Sequence, residues 1–259
     1  MLWHPAGVSV RSMNDARRRR TAKDVREGAA EETPLVDEVG QALADHPLEL
    51  LGIASVIIEA TRPDPLALPP WRERNETVDL DSLLAGFIGV PNAETTALLA
   101  ALAEMLEDAD LRARCRREVD ARSHPLPRWL TELPDVEVYR AVRMTHPQGD
   151  HDEVLIGARL AGGEQLTCAV AIDHAGAAIK DGFAVADSIS NVVRTAAERN
   201  TDPETGFAVM ALTDARASLE RGLKQSGVVL EPTDSWPACR PLLQWLTRCL
   251  PEGATPEGL

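Results

Sequence analysis

The chain is poor in aromatic residues, 3% of its composition, and nearly without lysine, with three lysines beside 24 arginines. It has no run of about 18 apolar residues, and its longest greasy stretch, near Leu50 to Ile58, is broken by Gly52 and Ser55; a membrane-spanning helix is thereby excluded. Its four cysteines (Cys115, Cys168, Cys239, Cys249) show no Cys-x-x-Cys spacing. Cys239 and Cys249 fall ten residues apart on one predicted helix, about 15 Å by helical rise, which is beyond disulfide reach. No apolar segment of the signal-peptide kind opens the chain, so free buried thiols in a reducing cytoplasm are expected.

Catalytic and cofactor fingerprints are missing too. Ala161-Gly162-Gly163 joins two predicted strands rather than a strand and a helix, so it cannot cradle a phosphate at a helix N-terminus. Ser188, Ser190 and Ser226 lack the Gly-x-Ser-x-Gly elbow, and there is no His-Glu-x-x-His.

What is there is a globular composition of 259 residues, 44% apolar and 26% charged, with a net charge of −14. The charge is lopsided. Residues 1–28 carry +4, from Arg11, Arg17 to Arg20, Lys23 and Arg26 against Asp15, Asp24 and Glu27, which leaves −18 on the remainder. An acidic body repels a phosphate backbone, so nucleic acid is expected as a partner only through the basic stretch 11–26, and a basic protein is the natural partner for the rest. The arginine excess, with abundant Ala, Leu, Val and Asp, is the mark of a GC-rich, actinomycete-like bacterial genome and carries no functional information.

Hydrophobic period divides the chain. Residues 1–33 read as a disordered basic tail, 34–130 as an α-helical subdomain, 131–251 as an antiparallel β-meander with C-terminal helices, and 252–259 as a second tail. Helices are expected over Pro34 to Ala44, from Pro47 to about Ala60, over Thr77 to Ile88, after an Asn92 cap, and after a cap at Asp108 or Asp110. A proline-rich link, Pro63 to Asn75, holds Trp71, and Trp129 is expected to pin the later connector to a core. The period then changes to two, predicting four strands at Val136 to Thr145, Glu153 to Leu160, Glu164 to Asp173 and Ala178 to Val185. Helices capped at Asp187 or Ser188, at Thr213, and running from Trp236 to Leu250 complete an α+β fold, with the last helices packed on the sheet.

One constellation carries chemistry. A two-residue Gly162-Gly163 turn sets Ala161 opposite Glu164, and the ladder then places Asp152 against Asp173 and His151 against His174. Like charges directly opposed destabilise a sheet, and a metal ion, a shared proton or a basic partner would relieve them. The meander brings His146, Asp150, His151, Asp152, Asp173 and His174 to one end of the sheet. Such a mixed imidazole and carboxylate set suits a divalent transition metal such as zinc, manganese or iron, or a water held for hydrolysis. The same residues also make ordinary polar turns, and a slip of one residue in the register would separate the two aspartates. Two functions follow as expectations. The first is a non-enzymatic protein-interaction or adaptor module with no cofactor; the alternative is a metal-binding protein or metal-dependent hydrolase.

Overall fold

The structure is a computed structural model that describes residues 32–62, 79–146, 149–175, 177–225, 233 and 235–253. The basic stretch 11–26, Trp71 with the whole of its proline-rich link, Thr77 and the C-terminal tail from 254 lie outside the described residues.

The fold is α+β. Among the described residues five helices come first: α1 (Glu32–Ala44), α2 (Leu48–Ala60), α3 (Leu80–Gly89), α4 (Ala93–Met105) and α5 (Ala109–Ala121). The starts of α3, α4 and α5 follow capping chemistry, because the first N–H groups of a helix have no partner of their own. Asn92 accepts from the Thr95 N–H at 2.7 Å while the Thr95 hydroxyl takes up the Asn92 N–H, a reciprocal box. Asp108 accepts from Asp110 and Leu111, both at 2.9 Å. Asp79 caps α3 through the Ser82 N–H, and the helix runs on from Leu80.

The far ends of the helices are closed by arginines from elsewhere. Arg122, with 4% of its side chain exposed, donates to the carbonyls of Phe87 and Ile88 at the end of α3 and to Thr95 and Thr96. Arg248 donates to the carbonyls of Glu104, Met105 and Leu106 at the end of α4. Arg216 donates at 2.6 Å to the carbonyl of Leu250. A guanidinium offers five N–H donors in a fork, so one side chain satisfies several orphan carbonyls that an ammonium could not.

A short helix, α6 (Arg128–Thr131), buries Trp129 as expected and leads to the sheet. Its strands are β1 (Glu137–Thr145), β2 (His151–Arg159), β3 (Gln165–Asp173), β4 (Ile179–Val185) and β5 (Gly206–Met210), in spatial order β4-β3-β2-β1-β5, with every pairing antiparallel. The first four form the expected meander. The fifth, which sequence reading leaves between two helices, lies along β1 from Thr145↔Gly206 to Ala141↔Met210. Its signal is weak because it is short, at the sheet edge, and shows no apolar alternation: Val209 is 71% exposed.

Helices α7 (Ile189–Arg199), α8 (Leu212–Gln225) and α9 (Trp236–Cys249) follow. Ser188 caps α7 through the Asn191 N–H, whereas Thr213 lies inside α8 and does not cap it. Helix α7 covers one sheet face, burying Ile189, Val192 and Ala196 on Val142, Met144, Leu155, Ala169 and Phe183. The other face belongs to one continuous cluster that runs from Val39 in α1 to Leu250 after α9 and takes in Ile156, Cys168, Val170 and Trp236. Helix α9 is the centrepiece of that cluster. Trp236 lies on Gly182 of β4 so closely that a Cβ there would stand 3.1 Å from its ring, as the glycine in that strand suggests.

Pro241 sits inside α9. The Ser55 hydroxyl of α2 enters the ladder beside it, donating to the Ala238 carbonyl at 2.6 Å and accepting from the Leu242 N–H at 3.2 Å. Those are the two groups an undisturbed helix joins to each other, and insertion of a side chain at a proline is a physical route to a helix bend.

Candidate functional site

The hairpin between β2 and β3 decides the register, and it differs from the two-glycine turn. Leu160 donates to Glu164 and Gly163 donates back to Leu160, both at 2.9 Å, so the loop holds three residues, Ala161 to Gly163. Gly163 alone has positive φ, +93°. A type I turn closed by one left-handed residue is the usual three-residue hairpin, and it requires a single glycine where a two-residue type I′ turn requires two. Every pair therefore moves by one: His151 stands opposite Asp173 and Asp152 opposite Ile172. The expected acid-to-acid and imidazole-to-imidazole pairs are not formed.

The six residues are all at one end of the sheet, and they are joined in pairs. Alternation places His151 and Asp173 on the α7 face with Leu155 and Ala169, and Asp152 on the opposite face with Val154. His151 Nδ1 meets Asp150 Oδ1 at 2.7 Å, and His174 Nε2 meets Asp152 Oδ1 at 2.9 Å. The His174 N–H also donates to the Asp150 carbonyl, which ties the two turns together. Lys180, on β4, donates to Asp150 Oδ2 at 2.6 Å and lies 3.7 Å from Asp173 Oδ2. Asp173 accepts from the Ala175 N–H in its own turn. His146 stacks obliquely on His151, ring centroids 5.7 Å apart, and its buried Nε2 finds no hydrogen-bond partner among the described residues.

These contacts shape the titration of the cluster. The Lys180 ammonium, with His151 beside it, holds the Asp150 carboxyl well below the usual range, and Asp150 in turn raises Lys180. Burial and then the neighbouring His151 lower the pKa of His146, against the pull of Asp152 and Asp202. Lys180 is thus the cation set between the Asp150 and Asp173 carboxylates. Among the described residues no group of three or more His, Cys, Asp and Glu side chains is arranged to hold a metal ion.

Two features of this end have no motif in the sequence. Glu153 is 2% exposed on the α7 face, one step inward from His151 and across Ala171 from Asp181. Burial, with Asp181 adding and His151 opposing, pushes its carboxyl up from 4.5 to about 7. Asp181 is buried as well, and one oxygen accepts from Thr233, from Ser235 at 2.7 Å and from the Gly182 N–H, fixing the start of α9 to β4. Strand alternation would have placed both acids on a covered face had the α7 packing been foreseen.

A concave site lies apart from this cluster. A cleft of about 260 Å³ opens between α1, α3 and α4, lined by Leu35, Val39, Leu83, Phe87, Val90 and Leu98, with Glu94 among its few polar walls. Gly86 of α3 also lines it, and a Cβ there would meet nothing within 4 Å. Comparison with models of protein families, with curated proteins and with solved structures finds no match to this chain.

Proposed function

We propose that this protein is a non-enzymatic interaction module that receives an amphipathic segment of a basic partner protein in the cleft between α1, α3 and α4. The observation that carries the reading is the cleft itself. Its walls are the apolar side chains of three helices, and its volume of about 260 Å³ suits one or two anchoring side chains better than a cofactor, since cofactor sites run from about 300 to 1,000 Å³. An amphipathic helix docks by laying such anchors at i, i+3 or i+4 into a groove of this kind. Charge chooses the partner: Glu94 lines the cleft, Asp37 on α1 and Asp79 at the head of α3 are exposed, and the chain outside its first 28 residues carries −18. Acidic groups around an apolar site attract a basic partner and speed its approach.

Gly86 provides the test. Gly86→Leu sets its Cβ where nothing lies within 4 Å, adds apolar bulk at a residue that lines the cleft, and replaces the poorest helix former short of proline, so the fold should be retained. Fluorescent 14-residue peptides selected from a displayed library of Leu/Arg amphipathic sequences should bind the wild-type chain in a salt-sensitive manner and lose at least tenfold in affinity on Gly86→Leu. Failure to select any peptide, or equal binding to the variant, would overturn the reading.

A further inference from the structure

Sequence spacing pairs none of the four cysteines, yet the fold brings two of them together. Cys168 Sγ, on β3, lies 3.6 Å from Cys239 Sγ, on the first turns of α9, and the residues are 71 apart in the chain. Both thiols are buried in the main core. A disulfide has an S–S length of about 2.0 Å, so the two sulfurs stand at van der Waals contact, one short closing movement from a bond. The elements that carry them are held firmly on either side: β3 is paired with β2 and β4, and α9 is fastened by Trp236 on Gly182 and by Ser55 in its ladder.

We infer that Cys168 and Cys239 are a reversible oxidation site, which hydrogen peroxide converts into an intramolecular disulfide that fastens α9 to β3. In the first step one thiolate attacks the peroxide oxygen and becomes a sulfenic acid; the hydroxide released takes up the thiol's proton and leaves as water. In the second the other thiol sulfur attacks the sulfenic sulfur, the S–S bond forms, and a second water departs. Two electrons pass from the thiols to one peroxide, and a dithiol reductant reverses the change.

The surroundings set the rate. Contact with Cys168 and burial raise the pKa of Cys239, so little thiolate is present at neutral pH and the closed protein oxidises slowly. A disulfide between residues 71 apart closes a long loop of the unfolded chain, so the oxidised form should unfold at a higher temperature.

The experiment uses the full chain carrying Cys115→Ser and Cys249→Ser, which leaves only this pair. The folded variant is treated with millimolar hydrogen peroxide at pH 8; a second sample is unfolded and then refolded under the same oxidant, where burial offers no protection. Both are alkylated in denaturant and mapped by peptide mass spectrometry. The expected result is a linked Cys168–Cys239 peptide in monomeric protein, loss of both free thiols, and a melting temperature that falls back on adding dithiothreitol. A link that forms only on refolding, with the folded sample keeping both thiols free, would overturn the inference, because two thiols in an open chain pair without help from the fold. Two free thiols, sulfinic acids or only intermolecular links in both samples would overturn the inference.

Discussion

Replacing Glu153 by glutamine should stabilise the protein, and by an amount that depends on pH. The side chain is 2% exposed and its carboxyl is raised from 4.5 to about 7, chiefly by burial. Between those two values the folded chain holds a proton that the unfolded chain has lost, so stability falls as pH rises through this window and levels off above it. A difference of 2.5 pH units at 1.36 kcal/mol each amounts to about 3 kcal/mol at pH 8 and less than about 1 kcal/mol at pH 5. Glutamine has nearly the same shape and no charge, so Glu153→Gln should recover most of that difference. For a chain of this length about 3 kcal/mol corresponds to roughly 6–12 °C in melting temperature. The measurement is urea denaturation of both proteins from pH 5 to pH 8, followed by circular dichroism. A stability difference that stays flat across that range, or that favours the wild type at pH 8, would show that Glu153 is not held protonated by burial.

Three further changes test other parts of the structure. Ser55→Ala removes the hydroxyl that serves both the Ala238 carbonyl and the Leu242 N–H, and should cost about 2 kcal/mol in denaturant titration; a cost under about 0.5 kcal/mol would mean that the two groups find each other unaided. Gly163→Ala meets no neighbour, so its expected loss of about 1 kcal/mol comes from the backbone at φ +93° alone, and an unchanged stability would count against the three-residue turn. Lys180→Met should let the Asp150 carboxyl return toward its ordinary range, seen as a rise in its midpoint by carbon-detected NMR; an Asp150 titration identical to the wild type would remove Lys180 from the network.

The helices and the meander are legible in the sequence because their causes are local. Asn92, Asp108 and Ser188 announce helix starts through hydrogen bonds to residues two or three places on. The change of period at residue 136 announces the sheet. What escapes sequence reading depends on contacts between distant parts. The choice between a two- and a three-residue turn rests on which glycine takes positive φ, and one residue there reassigns every partner of β2. Strand β5 owes its place to pairing with β1 and not to a pattern of its own. Lys180 reads as a neighbour of Asp181, although the strand turns it toward Asp150 and Asp173. The apolar cleft and the Cys168–Cys239 contact are assembled from three helices in one case and from a strand and a helix in the other, with no spacing rule to reveal them. Even the arginine excess, which looks like a matter of codons, acquires a structural use at the ends of α3 and α4.

The hydroxyl of Ser55 waits for a helix whose acceptor lies 183 residues further along. At a translation rate of roughly 5–20 residues per second, α2 leaves the ribosome some ten to forty seconds before α9 exists. Throughout that interval Leu50, Leu51, Ile53 and Ala54, all buried in the finished fold, have only their early helical neighbours to shelter them. The nascent chain therefore carries the apolar face of α2 without its α9 cover until synthesis is nearly complete.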